Sequence, residues 1–349
     1  MAAIGLNISH NLSLCIKQKD KIQYWEEDRF NKIKNYGLKD ALEILLLESK
    51  IKDLPKDIPI CFTTIQSFED GIDKFCYLFA ERHNIPMDKW FRTNGVHHDH
   101  HAYCGFYNSN FDDALVLVMD GGGAQQLDER IDDNPLENIY WQKPWLYVES
   151  DSIYYIDKYK LTKLYKRYST YYNIFRRKSI RDIINTLYTD NDLFNYTRVK
   201  DGVEELYTSL PGPGMVFIGL CAQITGEKEG FDAGKMMGLS SYGKVGGDSD
   251  EDLCKEAQIA TEKYTMRMIE KALDMSTCRN LVLTGGYAMN CVNNYKYAQH
   301  FKGVNFFVDP VPHDGGTAIG AAVWLDDYFQ KSFSDEKFKG RIIDETNNQ

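Results

Sequence analysis

Residues 114–124 read ALVLVMDGGGA, and this stretch decides the fold class. Six apolar residues make a strand-sized run that passes directly into a turn of three glycines. Glycine after a strand lets the backbone approach a ligand closely, because no Cβ intervenes. The same pattern begins the chain at residues 2–11 (AAIGLNISHN) and recurs at residues 280–290 (NLVLTGGYAMN). We therefore expect three buried strands, each of which ends in a polar turn.

Helical patterns separate these strands. Residues 40–50 (DALEILLLESK) and residues 251–274 carry apolar side chains at helical spacing. Strands that alternate with helices predict an α/β protein. Two lobes that each open with a strand and a phosphate-type turn would hold a nucleotide in the cleft between them. We expect a first lobe over residues 1–112, a second over 113–333, and a loose polar tail over 334–349.

The composition is that of a globular protein. Of the 349 residues, 43% are apolar and 26% are charged, and the formal net charge is −10. These values allow a sizeable core and argue against disorder. The eight cysteines form no CxxC pair, the N-terminus lacks a signal-peptide pattern, and the apolar runs are too short to cross a bilayer. We expect a cytoplasmic protein without a membrane partner.

A histidine cluster predicts a metal site. Four of the eight histidines lie within residues 97–101, which read HHDHH. On a helix, His97 and His101 would share one face, a spacing that lets two imidazoles bind one metal ion. Two carboxylates could complete the site: Asp120, which ends an apolar strand, and Asp314, within the run PVPHDGGTAIGAA. The alternatives are a polar patch for the histidines and a helix N-cap for Asp314.

Six stretches, in this order, resemble the O-carbamoyltransferases of the nodulation and antibiotic-tailoring family and, more distantly, the tRNA threonylcarbamoyl transferases. They are residues 4–13 (IGLNISHNLS), 26–34 (EEDRFNKIK), 97–102 (HHDHHA), 118–123 (VMDGGG), 234–243 (GKMMGLSSYG) with 285–294 (GGYAMNCVNN), and 310–322 (PVPHDGGTAIGAA). The runs HHDHHA, GKMMGLSSYG and GGYAMNC are specific, whereas a lone DGGG would not be. The resemblance implies the actin- and sugar-kinase-like (ASKHA) fold, with two related α/β lobes and with nucleotide and metal in the cleft between them.

The resemblance also implies the cofactors and the donor. It implies Fe²⁺ or another divalent metal at His97, His101 and Asp314, with Asp120 close by, and ATP (as its Mg²⁺ complex) with its phosphates over that metal. Carbamoyl phosphate and ATP would give carbamoyl-adenylate, which passes the carbamoyl group to an alcohol. Larger members of the family make the adenylate in a YrdC-type domain, for which we expect no counterpart here. Either a separate partner supplies the adenylate, or this one domain performs both steps.

Further site residues follow from the same resemblance. The acceptor hydroxyl has a high pKa and needs a general base, for which His10 and His98 are candidates; Asp120 is a third catalytic candidate. A structural role is the alternative for a turn histidine, and a surface position is the alternative for a lysine. The candidates for binding phosphate and nucleoside are Lys34, Gly121, Gly122, Gly123, Lys235, Gly285, Gly286, Asn290 and Asn294.

One stretch departs from the acidic balance of the chain. Residues 158–181 (KYKLTKLYKRYSTYYNIFRRKSIR) hold five Lys, four Arg, five Tyr and one Phe but no acidic residue, within an insert-like region near residues 150–212. Lys and Arg neutralise phosphates, and aromatic rings stack on exposed bases. The alternative is a solvated basic helix, or one that pairs with the acidic remainder of the chain. The predicted nucleic-acid contacts are Lys166, Arg167, Arg176, Arg177 and Lys178.

These features predict an ATP-dependent O-carbamoyltransferase that acts on a hydroxymethyl group in DNA. The hydroxymethyl group of 5-hydroxymethylcytosine is an alcohol of the kind that viral DNA-modification systems decorate, and a viral protein in a host cell would fit this hypothesis. The first alternative is carbamoylation of a small-molecule alcohol, such as a sugar, a nucleotide or a natural product. The second is a non-catalytic nucleotide-binding scaffold, against which the complete histidine and aspartate set argues.

Overall fold

The structure is a computed structural model. It describes residues 2–19, 21–34, 36–37, 45–52, 54–55, 57–65, 70–93, 95–127, 146–158, 160–170, 180–189, 196–208, 210–226 and 232–334. The predicted tail over residues 334–349 therefore lies outside the described residues apart from Ser334.

The described residues form thirteen strands and ten α-helices, with groups of strands and groups of helices interspersed along the chain. The strands are β1 (Ala2–Asn7), β2 (Ser13–Gln18), β3 (Lys21–Glu26), β4 (Ile60–Thr63), β5 (Trp90–Arg92), β6 (Asp113–Met119), β7 (Gln125–Leu127), β8 (Leu146–Asp157), β9 (Lys160–Thr170), β10 (Tyr196–Lys200), β11 (Val203–Thr208), β12 (Asn280–Thr284) and β13 (Asn305–Val308). The helices are α1 (Glu27–Asn31), α2 (Leu45–Ile51), α3 (Asp70–Arg82), α4 (His97–Ser109), α5 (Ile180–Thr189), α6 (Pro213–Ile224), α7 (Ala233–Leu239), α8 (Asp250–Asp274), α9 (Cys291–His300) and α10 (Thr317–Ser334). The predicted α/β class is confirmed, and the three predicted strands are β1, β6 and β12.

The chain folds into two compact units. The first unit comprises residues 1–110 and 309–349, and the second comprises residues 111–308. The predicted second lobe, residues 113–333, therefore extends too far toward the C-terminus. The physical reason is that α10 packs on β1 and α4 and so completes the first unit.

The first unit is built on a mixed sheet with the strand order β3-β2-β1-β4-β5. The central strand β1 runs antiparallel to β2 and parallel to β4. Ile4 and Leu6 of β1 and Phe62 of β4 are buried in the core of this unit. Helix α10 lies close to β1 because Gly5 has no Cβ, which would collide with the carbonyl oxygen of Ala318.

The second unit repeats this arrangement in a larger sheet. Its strand order is β10-β11-β9-β8-β6-β12-β13, and β7 pairs with β8. Strand β6 runs antiparallel to β8 and parallel to β12, as β1 does with its own neighbours β2 and β4. The predicted helix over residues 251–274 is α8, which begins with a capping box because the Ser249 side chain accepts a hydrogen bond from the Asp252 amide.

Each unit buries its own apolar core. Seven of the eight cysteines are buried and only Cys291 is exposed, as expected for small hydrophobic side chains. None of the helices formed by the described residues is both long enough and apolar enough to cross a bilayer.

Candidate metal centre

Helix α4 brings two histidines together in the first unit. The helix begins at His97, and the four-residue spacing puts His97 and His101 on one face, as predicted. Both side chains are buried, and their Nε2 atoms lie 3.1 Å apart. Two imidazole nitrogens at this distance either share one proton or point their lone pairs at a common cation.

The position of the Asp314 carboxylate favours a common cation over a shared proton. Its Oδ1 lies 3.6 Å from Nε2 of His97 and 3.7 Å from Nε2 of His101, so the carboxylate stands almost equally far from both rings. One ligand atom from each of the three residues lies within 4.8 Å of the other two. With metal–ligand bonds of about 2.1 Å, neighbouring ligand atoms are about 3.0 to 3.4 Å apart. The three donors therefore fit a divalent ion after a contraction of a few tenths of an ångström, and two imidazoles with one carboxylate suit several first-row metals.

His10 lies on the other oxygen of the Asp314 carboxylate. Its Nε2 is 3.2 Å from Oδ2 of Asp314, and its side chain is 37% exposed. Burial raises the pKa of Asp314. The nearby His10 and His97 lower the pKa by more than burial raises it, so it lies well below the usual range of an aspartate. The carboxylate is thus ionised, as a metal ligand must be. The predicted catalytic residue His10 therefore stands beside the candidate centre at a position that solvent reaches.

The other two histidines of the cluster lie deeper. The ring of His98 is fully buried, with its centre 6.0 Å from that of His97 and 6.4 Å from that of His101. Nδ1 of His100 lies 2.7 Å from Oγ1 of Thr63 and so links α4 to β4. Burial lowers the pKa of His100 to about 3, which makes its ring a neutral structural group. The catalytic role predicted for His98 stays a prediction.

A second polar cluster supports the turn that carries Asp314, and no role was predicted for its members. Nε2 of His313 lies 3.3 Å from Oε1 of Glu26, and the Tyr24 hydroxyl donates to the same oxygen at 2.8 Å. Nδ1 of His313 accepts a hydrogen bond from the Gly315 amide at 3.1 Å. Burial raises the pKa of Glu26, but the hydrogen bonds from His313 and Tyr24 outweigh it and lower the pKa to about 2.

Asp120 belongs to the second unit, where it follows β6. It is buried, and its Oδ1 accepts a hydrogen bond from the Gly286 amide at 2.9 Å. This contact joins the end of β6 to the 3₁₀ turn over Gly286–Met289, which follows β12. The ligand and catalytic roles of Asp120 stay predictions.

Some backbone amides in the glycine turns of the second unit already donate hydrogen bonds within the protein. The Gly123 amide donates to the carbonyl oxygen of Glu149 at 2.7 Å, and the Gly286 amide donates to Asp120. These two amides therefore already have acceptors within the protein, and the binding roles of Gly123 and Gly286 stay predictions. Gly285 has a φ of 86°, and a Cβ there would collide with the carbonyl oxygen of Met119, so close packing against β6 accounts for this glycine.

The two asparagines predicted to line the nucleotide also have structural partners. Asn290 is buried, accepts a hydrogen bond from the Asn293 amide as the N-cap of α9, and exchanges two hydrogen bonds with the Gln258 side chain at 2.8 and 3.1 Å. The Asn294 side chain donates to the carbonyl oxygen of Ala288 at 2.6 Å. The Asn290 amide thus takes part in a buried network, and one donor of Asn294 is already used. The roles of both asparagines stay predictions.

The two predicted phosphate-binding lysines lie on the surface. Lys34 is exposed, and Lys235 is 68% exposed and pairs with Asp232 at 2.8 Å. Their roles, like those of Gly121 and Gly122, stay predictions.

Two of the predicted nucleic-acid contacts lie within the part of the basic stretch that the structure describes. Residues 160–170 form β9, in which Lys166 pairs with Glu149 at 2.8 Å and Arg167 pairs with Asp151 at 3.0 Å. Both cations are buried, and a buried cation is stable only with such a partner. The prediction that Lys166 and Arg167 contact nucleic acid is therefore wrong. The remaining predicted contacts lie outside the described residues; they are Arg176, Arg177 and Lys178.

Comparison with known proteins supports the resemblance to the carbamoyltransferase family. Residues 247–323 match the family model described as Carbamoyltransferase N-terminus. The nodulation protein NolNO of Sinorhizobium fredii is 24% identical over 346 residues, which cover 90% of this chain and 46% of that protein. The uncharacterized protein sll1178 of Synechocystis is 28% identical over 244 residues, which cover 65% of this chain and 36% of that protein. This chain thus matches less than half the length of either relative.

The fold is similar to that of about half of HypF. The crystal structure of HypF from T. kodakarensis superposes with a TM-score of 0.57 at 14% identity, over 95% of this chain and 48% of that chain. Full-length HypF in its phosphate- and nucleotide-bound form superposes with a TM-score of 0.52 at 13% identity, over 97% and 56% of the two chains. Together with the repeated strand order of the two units, this confirms the predicted ASKHA-like fold.

Proposed function

We propose that this protein is an O-carbamoyltransferase whose metal centre is formed by His97, His101 and Asp314. The observation that carries the proposal is the convergence of these three buried donors in a chain of which residues 247–323 match the carbamoyltransferase family. The donor set suits Fe²⁺ and other divalent ions. Such an ion would act as a Lewis acid that neutralises charge as it develops on phosphate or carbonyl oxygens.

The proposed reaction balances with ATP as the activating reagent. Carbamoyl phosphate, ATP, water and the alcohol give the carbamate ester, AMP, pyrophosphate and phosphate. In the last step the alcohol oxygen forms a bond to the carbamoyl carbon, and the bond from that carbon to the AMP oxygen breaks. The hydroxyl proton passes to a base, for which His10 is the exposed candidate and His98 the buried one. Either this chain or a separate partner makes the carbamoyl-adenylate.

The finer proposal is that the acceptor is the hydroxymethyl group of 5-hydroxymethylcytosine in DNA. Its support is the composition of residues 158–181, from which the two buried cations Lys166 and Arg167 must now be subtracted. A small-molecule alcohol is the competing acceptor. Both acceptors require the same carbamoyl transfer, so one assay separates them.

The test supplies the Fe²⁺-loaded protein with carbamoyl phosphate, Mg²⁺-ATP and one acceptor at a time: hydroxymethylated DNA, unmodified DNA, sugars or nucleosides. Mass spectrometry of the products, after digestion to nucleosides for DNA, is expected to find a gain of one carbamoyl group with release of AMP. A parallel arm supplies carbamoyl-adenylate directly, in case a partner normally makes it. A carbamoyl group gained by hydroxymethylated DNA supports the DNA acceptor. If only small alcohols gain the group, a small-molecule acceptor replaces DNA in the proposal.

Two variants make the test specific. His101→Ala removes a ligand atom and is expected to lower both bound metal and transfer by more than about 100-fold, since even groups that merely orient ligands account for 10- to 100-fold. The matched control is His300→Ala, which removes an exposed histidine of the second unit and is expected to change neither. No transfer to any alcohol, despite bound metal and supplied adenylate, would contradict the enzyme and favour a scaffold.

A further inference from the structure

The turn that carries Asp314 is fixed through its backbone. The Gly315 amide donates to Nδ1 of His313 at 3.1 Å, and the Gly315 carbonyl oxygen accepts from the Ser13 hydroxyl at 2.7 Å. The Gly316 amide donates to the carbonyl oxygen of His313 at 2.8 Å. The peptide groups next to Asp314 are therefore held in place by the His313 ring and by β2.

The tautomer of His313 follows from these contacts. Because Nδ1 accepts the Gly315 amide hydrogen, the neutral ring carries its proton on Nε2. Nε2 lies 3.3 Å from Oε1 of Glu26 and donates to it. A carboxylate on the far side of an imidazole selects the tautomer and the orientation of the ring. Glu26 therefore keeps His313 in the one form that can hold the Gly315 amide.

Glu26 is itself buried and surrounded by donors. Only 6% of it is exposed, and Oε1 also accepts from the Tyr24 hydroxyl at 2.8 Å. Its Oε2 accepts from Nε of Arg29 at 3.0 Å, although the Arg29 side chain is 76% exposed. Tyr24 also packs on the turn, because a Cβ at Gly315 would lie 2.5 Å from its hydroxyl. A buried carboxylate is costly unless donors satisfy it, and here the donors connect it to the turn of Asp314.

We infer that Glu26 is a positioning residue for the metal centre, which acts through His313 to fix the turn that presents Asp314 to His97 and His101. The inference rests on the proposed metal centre and adds Glu26 and His313, which support the turn of a candidate ligand. Glu26 and His313 touch neither the metal nor a substrate in this role. They restrict the orientations that the Asp314 carboxylate can adopt before metal binds.

Removal of the Glu26 carboxyl is expected to weaken metal binding. In Glu26→Ala the His313 ring can rotate and change tautomer, so we expect the dissociation constant for Co²⁺ to rise by at least about tenfold, in the range known for groups behind metal ligands. Glu26→Gln keeps a carbonyl oxygen for His313 and Tyr24 but gives up the negative charge. It is expected to be less stable than the wild type at neutral pH, yet its Co²⁺ affinity should stay within about threefold, because the remaining hydrogen bond still orients the His313 ring.

The experiment titrates the full-length protein with Co²⁺ and follows the visible absorption bands of the bound ion together with the heat of binding. His313→Phe keeps the ring volume but removes both nitrogens, and it provides a second measurement if Glu26→Ala does not fold. The double variant Glu26→Ala/His313→Phe is expected to bind no more weakly than His313→Phe alone, because Glu26 acts through that ring. The matched control is Glu48→Ala, which removes a carboxylate of the same unit that pairs with Arg82.

The outcomes separate this inference from the proposals on which it rests. Equal Co²⁺ affinity and identical absorption bands in Glu26→Ala, His313→Phe and the wild type would overturn it while leaving the metal centre intact. Losses that add fully in the double variant would also overturn it, since they show two independent effects. A wild type that binds no Co²⁺ removes the metal centre and the inference together. No turnover is measured, so the result is the same whether or not carbamoyl transfer is found.

Discussion

Single buried carboxylates set the chemistry of the first unit at the residue scale. Asp314 and Glu26 are both almost fully buried, and burial alone would raise the pKa of each. In both cases imidazole donors outweigh burial: His10 and His97 act on Asp314, and His313 acts on Glu26. Both carboxylates are thus ionised. Asp314 is a candidate metal ligand, and Glu26 supports the turn that carries Asp314.

The lowered pKa of Glu26 predicts a defined loss of stability in acid. Its pKa is about 2 in the folded protein against an ordinary value of 4.5, so ionised Glu26 stabilises the fold above pH 4.5 and this stability is lost as the pH falls toward 2. The contribution is at most about 3 kcal/mol. Glu26→Gln cannot titrate, so its free energy of unfolding, measured with urea, should approach that of the wild type between these pH values. A constant difference between the two proteins would contradict the prediction.

At the element scale, close helix packing positions the residues of the candidate metal centre. Helix α4 carries His97 and His101, and α10 follows directly after the turn of Asp314. The two helices approach closely at Gly320, where a Cβ would collide with the carbonyl oxygen of His100. His100 is next to the candidate ligand His101 in sequence, and Gly320 lies six residues after the candidate ligand Asp314. The separation of these helices therefore sets the distance between imidazole and carboxylate.

Gly320→Ala is therefore expected to disturb both stability and metal binding. The added methyl group must displace backbone, which costs about 1 to 3 kcal/mol of unfolding free energy and exceeds the gain of up to about 1 kcal/mol in helix propensity. Co²⁺ affinity should fall with it. The control is Gly238→Ala in α7, where nothing lies within 4 Å of the new Cβ and stability should stay equal or rise. Equal denaturant midpoints for both variants and the wild type would refute the packing argument.

At the scale of the whole molecule, two units share one strand order but carry different groups. The ligand candidates His97, His101 and Asp314 belong to the first unit with His10, whereas the further candidate Asp120 and the glycine turns belong to the second. The net charge of −10 disfavours binding to polynucleotides in general. Binding of a DNA acceptor therefore requires cations concentrated in one region. Because Lys166 and Arg167 of β9 form buried ion pairs, Arg176, Arg177 and Lys178 remain as the predicted phosphate contacts.

DNA binding, if it serves acceptor recognition, must depend on the remaining predicted cations. Glutamine at Arg176, Arg177 and Lys178 is expected to weaken binding to hydroxymethylated DNA. The slope of log K against log salt concentration should fall by about 0.9 for each phosphate that the protein no longer neutralises. Fluorescence anisotropy at several salt concentrations measures both quantities.

The control for this triple variant makes the same change in net charge at exposed cations elsewhere in the chain. These are Lys52, Arg279 and Lys302. Because they lie far along the sequence from the basic stretch, their replacement is expected to leave the salt slope close to that of the wild type. Identical slopes for both triple variants would remove the DNA acceptor from consideration.

Local patterns in the sequence determined a large part of this protein. The strands β1, β6 and β12, the helices α4 and α8, and the pairing of His97 with His101 all depend on residues a few positions apart. Hydrophobic periodicity and turn residues act at this range, so they can be read without a structure. The choice of Asp314 as third ligand came from family resemblance, because some two hundred positions separate it from α4.

Only the tertiary structure decided which charged residues face one another. Composition marked Lys166 and Arg167 as phosphate contacts, but the register of the β8–β9 hairpin places Arg167 opposite Asp151 and buries both. Likewise, Glu26 and His313 stood in separate motifs until folding joined them across the first unit. The physical reason is that the free energy of a charge depends on its burial and its partners. Both are set by strand register and helix packing between distant segments, which no local pattern encodes.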